Sequence, residues 1–143
     1  MDAKRLLTGA VVGGVVMAGL GFLMFEVIFA GFFDGQMIVM PREAPIVWAM
    51  IVSSLTHGLL LTLAIGWADA GSVAGGGRIG ALVGFLVWFG ADTIIYGVFE
   101  YATLAAMLAD SALSTLVYGV AGAAIGAVAG KGTRQAPAAA AAG

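Results

Sequence analysis

Three ionisable side chains, Glu26, His57 and Asp92, stand inside long apolar stretches of this sequence. At membrane depth such a group is costly, at least about 2.5–3.5 kcal/mol for a mid-helix Asp, so it usually faces a protein interior or a cavity and serves a purpose. Several chemistries fit these residue types. A proton-binding site needs a buried carboxyl, which Asp92 or Glu26 can supply, and His57 can accept or relay the proton because imidazole titrates near neutrality. Glu26, His57 and Asp92 are also candidate metal ligands if they converge. A Ser-His-Asp triad can be drawn from Ser53 or Ser54, His57 and Asp92, but nothing around those serines resembles a nucleophile elbow. A single His excludes bis-His haem ligation within one subunit, and the absence of Cys excludes disulfides, thiolate metal sites and cysteine nucleophiles. No motif names a cofactor.

Plainer roles compete at each position. A lone His in an apolar helix also serves as hydrogen-bonded glue between helices. Glu100 reads as interfacial and solvated, Trp88 as packing, and the seven Met residues as filler.

The elements that position these groups follow from composition. Of 143 residues, 62% are hydrophobic and only 10% charged, against about 25% charged in a soluble domain. Such a chain cannot cover a water-facing surface, so its solvent is lipid. The net charge of −2 gives no reason to expect nucleic acid as a partner. The 23 Gly residues suit helices that approach backbone to backbone.

The reading is an all-α, four-helix transmembrane bundle in a single domain over residues 1–130. Its spans are about 6–33, 46–67, 79–99 and 111–130, followed by a disordered low-complexity tail over 131–143. The first run, at 1.5 Å per residue, is about 42 Å long, more than a hydrocarbon core of about 30 Å, so tilt or an interfacial turn must absorb the excess. It is too long for a signal peptide and lacks a cleavage site. Pro45 reads as a helix start. Trp48 and Trp67 stand where aromatic belts would place them. Asp69 to Arg78 reads as a flexible connection, Glu100 to Asp110 as a turn, and Met37-Ile-Val-Met40 as a stretch able to dip into the interface. The fourth helix, mostly Ala and Gly, is expected inside the bundle.

With both termini cytoplasmic, the inner segments hold Lys4, Arg5, Arg78, Lys131 and Arg134, while the outer loops hold only Arg42. That asymmetry sets an N-in, C-in orientation. Asp92, Tyr96 and Glu100 then form an i, i+4, i+8 stripe rising to the outer surface. Ser53, Ser54, Ser114, Thr115 and Tyr118 also fall in outer halves, which suggests a cavity open to the outside. Gly80 and Gly84 in the third helix, and Gly122, Gly126 and Gly130 in the fourth, form small-residue faces suited to packing within the bundle or across a dimer. Phe25-Glu26 and Phe99-Glu100 echo one another, as two duplicated hairpins would.

The segment GFLVWFGADTIIYGVFEYATLAAMLADSALSTLVYGVAGAAIGAVAG resembles a family of small four-span bacterial inner-membrane proteins of unknown function. In that family a Gly-containing third span leads to an acidic residue opening a small-residue final helix, matched here by Asp110 and the run Gly119 to Gly130. The resemblance covers about a third of the chain. Where the family tends to show a Trp-Tyr pair after a Gly in the first helix, this chain has Gly21-Phe22 and then Phe25-Glu26. The resemblance implies the four-span fold and a bacterial cytoplasmic membrane, and no activity.

Three functions are compatible with these features. One is an integral membrane protein that binds or transports a proton, small solute or lipid in an outward-facing pocket formed by Asp92, His57, Glu26, Tyr96 and Glu100. Another is a non-catalytic accessory subunit, packed through its Gly faces into a homo-oligomer or larger membrane complex. The third is an intramembrane metal-dependent enzyme.

Overall fold

The computed structural model describes residues 3–39, 42 and 44–133, with side-chain surroundings described as far as Ala129. Helix α1 (Ala3–Gly21) continues into a π-helical segment (Phe22–Ile28) and a short α2 (Ala30–Asp34); α3 (Val47–Trp67), α4 (Val73–Val98) and α5 (Leu104–Thr133) follow. Four helices are long and apolar enough to cross a membrane: Ala3–Ile28, Val47–Trp67, Val73–Val98 and Leu104–Ala129. Large apolar side chains such as Leu7, Val15, Leu86 and Leu116 point outward, while the packed seams are lined by small residues. A water-soluble core has the reverse arrangement. This is a helical multi-pass membrane protein.

The bundle consists of two hairpins. In the second, Gly76, Gly80 and Gly84 of α4 lie against Gly122, Tyr118 and Ser114 of α5, so close that a Cβ on Gly80 would collide with the Tyr118 carbonyl oxygen. In the first, Gly58 of α3 meets the Ala10 carbonyl and the Gly14 amide nitrogen of α1 just as tightly. Without a hydrophobic force between helices in lipid, such backbone approach is what holds them together. Gly80, Gly84, Gly122 and Gly126 are therefore occupied inside one chain; the surroundings of Gly130 lie outside the described residues. As expected, α5 is the most buried span. A core of Met17, Leu61, Ile65, Val117, Ala121 and Ile125 joins the hairpins.

Several boundaries differ from the sequence reading. Helix α4 begins at Val73 rather than Ile79, because Ser72 caps it by accepting from the Gly75 amide at 3.0 Å and the glycines dock on α5. Packing here overrides the low helix propensity of a Gly-rich stretch. Helix α5 starts at Leu104, seven residues before Ser111. Thr103 caps it, its hydroxyl accepting from the Ala106 amide at 3.2 Å while also donating to the Gln36 side chain. Pro45 precedes the α3 cap, Ile46, instead of opening the helix.

The long first run is not one continuous α-helix. Its register widens at Phe22 and breaks at Phe29, whose amide reaches back to the Met24 carbonyl. Residues 37–39 are tied to the α4–α5 connection, with the Ile38 and Val39 amides both donating to the Tyr101 carbonyl. Of the expected tail, 131–133 continue α5, and 134–143 lie outside the described residues.

Candidate functional site

At the end of the bundle that carries the α2–α3 and α4–α5 connections, the π-helical segment and α2 stand off from α4 and α5. The space between is a cavity of about 530 Å³. Helix α4 contributes Trp88, Asp92, Ile95 and Tyr96, and α5 contributes Ala106, Met107, Asp110 and Ser114, rows at helical spacing that keep each set on one face. Phe25, Glu26, Ala30, Phe33, Asp34 and Met37 close the opposite wall. Phe25 and Phe33 meet with ring centroids 5.3 Å apart. The widened π-helical register lies where the wall forms, a placement common at functional sites.

The lining includes a carboxyl pair. Asp92 is only 8% exposed and accepts a 2.7 Å hydrogen bond from the Ser111 hydroxyl. Asp110 lies beside it, within hydrogen-bonding reach, and accepts from the Ser114 hydroxyl at 3.2 Å. Two carboxyls so close repel when both are charged, and a shared proton or a bound cation relieves the repulsion. Glu26 and Asp34 are exposed, nearer the mouth, with Tyr96 and Tyr101.

The sequence candidates divide. Asp92, Glu26 and Tyr96 all line the cavity. Glu100 does not, because α4 ends at Val98 and the chain turns extended at Phe99 (φ −127°, ψ 143°), so the i, i+8 relation no longer holds. His57 is also outside the lining. Its ring is 5.7 Å from Tyr118 and 6.1 Å from Trp88, and its Nδ1 lies 3.4 Å from the Ser53 hydroxyl. Trp88 lines the cavity and is also the ring neighbour of His57. The Ser-His-Asp triad is accordingly not assembled, since the observed partner of Asp92 is Ser111. Among the described residues no three His, Asp or Glu side chains are gathered to hold a metal ion.

Sequence reasoning missed Asp110, Asp34 and Tyr101 as site residues. For Asp110 a signal existed: with α5 begun at Leu104, the carboxyl falls inside a membrane-length helix, one residue before Ser111 and four before Ser114. Trp88, read as packing, has a buried indole N–H close to the buried Tyr118 hydroxyl, and neither group makes a well-formed hydrogen bond.

Comparison with protein-family models, with curated proteins and with solved structures finds no match to this chain. The fold and site by themselves define a class: a four-span helical membrane protein with an acid- and aromatic-lined cavity at one end.

Proposed function

We propose that this protein lies in the bacterial cytoplasmic membrane with both termini inside, and that its outward-facing cavity binds a proton, small solute or lipid at the Asp92–Asp110 pair. The observation that supports this most is the cavity itself, with the buried Asp92 and the half-buried Asp110 paired in its lining. Cavities of roughly 300–1,000 Å³ with a few convergent polar groups are the usual form of a small-molecule site. Orientation rests on the basic residues: among the described residues, Lys4, Arg5, Arg78 and Lys131 belong to segments at the end opposite the cavity, and only Arg42 to the other end.

Binding has more support than conduction. Beyond the cavity the bundle closes on Leu61 and Ala121, each 0% exposed, with Ile65 and Ile125 behind them. That apolar layer would have to open for anything to cross. The accessory-subunit reading has less support, because Gly80, Gly84, Gly122 and Gly126 are engaged within the chain. The enzyme reading lacks an assembled triad or metal-ligand group among the described residues.

Native mass spectrometry of gently extracted protein tests the proposal and reports oligomeric state in the same spectrum. A bound small molecule should be retained by the wild type and lost from Ala30→Trp and Met107→Trp, which fill the cavity. A ligand held equally by all three proteins would place binding elsewhere. Orientation can be read from a chain that contains no Cys. Glu100→Cys should react with an impermeant maleimide in intact cells, and Asp69→Cys only after permeabilisation.

A further inference from the structure

Among the described residues four carboxyls line the cavity, Glu26, Asp34, Asp92 and Asp110, and no Lys, Arg or His does. Charge of one sign at membrane depth needs a counter-charge. Only Asp92 and Asp110 lie within reach of one another, and among the described residues no three acids are gathered to hold a metal ion. A compact metal ion wants converging oxygens; a diffuse charge on an organic body does not. Between the acids stand five aromatic residues, Phe25, Phe33, Trp88, Tyr96 and Tyr101. Aromatic faces attract alkylammonium groups, more strongly when desolvated.

We infer that the cavity is a site for an organic ammonium ion, an alkylamine or quaternary ammonium group on a small apolar body, held by Asp92 and Asp110 against the aromatic wall. The inference rests on the binding function proposed above and names its ligand class. The buried Trp88 indole N–H makes no well-formed hydrogen bond, and a hydroxyl or ether oxygen on the same ligand would give it one. The ammonium can belong to a free amine or to a lipid headgroup, and the chemistry of recognition is shared.

The test uses the full chain carrying Trp48→Phe and Trp67→Phe, which leaves Trp88 as the sole indole, reconstituted in phosphatidylglycerol vesicles. Choline should change Trp88 emission saturably, and its uncharged isostere 3,3-dimethylbutan-1-ol should not. Asp92→Asn should weaken choline binding at least about tenfold, while Asp69→Asn, outside the cavity with the same change in net charge, should leave it in place. Glu26→Gln guards against misfolding of the Asp92 variant, because Glu26 is exposed and its loss should still weaken choline binding. If the source is a headgroup, phosphatidylcholine vesicles will shift Trp88 emission and suppress the choline response. Equal responses to choline and the alcohol, or to benzenesulfonate, would overturn the ammonium assignment and leave the cavity as a binding site. No response to any probe or headgroup overturns it as well, and retention of an unrelated ligand in native mass spectra would then show whether the cavity binds at all.

Discussion

The two ends of the α4–α5 hairpin are built on opposite principles. Toward the α3–α4 turn, Gly76 and Gly80 let α4 touch the α5 backbone at Tyr118 and Gly122, leaving no space. Toward the other end the same two helices carry Trp88, Asp92, Tyr96, Met107 and Asp110, and a cavity opens beside them. Close packing of small residues anchors the hairpin, which allows its far end to hold polar groups that would otherwise be too costly in a membrane. One end supplies stability and the other supplies a site.

That contrast predicts where substitutions hurt. The largest effect is expected from Gly80→Val, whose side chain must displace the α5 backbone; the cost should reach or exceed the top of the about 1–3 kcal/mol typical of overpacking. Thermal unfolding in detergent, or loss of folded protein on extraction, would reveal it. A stable Gly80→Val protein would mean the seam is looser than described. Next comes Thr103→Val, which removes the α5 cap and the tie to Gln36 and should lower stability by about 1–2 kcal/mol in the same assay. Asp110→Asn should behave in the reverse sense, with little change in stability and loss of ligand in native mass spectra. His57→Phe should leave ligand retention as it was, since His57 is not among the residues that line the cavity. Smallest of all, Gly90→Ala on the same helix as Gly80 meets nothing within 4 Å and should stabilise by roughly 0.5–1 kcal/mol through helix propensity.

The four helices were legible because hydropathy over membrane length is a strong signal, and Gly80, Gly84, Gly122 and Gly126 of the small-residue rows lie in tight helix contacts. Boundaries were less legible. Gly75, Gly76 and Gly77 look like a flexible linker in isolation and become helical only because α5 offers a matching groove. The site was half visible. Asp92, Glu26 and Tyr96 stood out as polar groups in apolar runs, whereas Asp110 was hidden by a misplaced helix start. Glu100 was grouped with Asp92 by assuming a helix that stops at Val98. His57 attracted notice by residue type, yet whether it reaches the cavity is a tertiary fact that spacing along one helix does not contain.

The most direct test of the central claim, a cation-selective cavity set by the Asp92–Asp110 pair, uses Met107→Cys in this otherwise Cys-free chain. Met107 lines the cavity, so its replacement should react from the outer face with small methanethiosulfonates. The trimethylammonium-bearing reagent should outpace the sulfonate-bearing one by about tenfold or more, as a cleft of one charge sign concentrates counter-ions. The preference should collapse when Asp92→Asn and Asp110→Asn are added. Equal rates for the two reagents, or a preference indifferent to both carboxyls, would contradict the account.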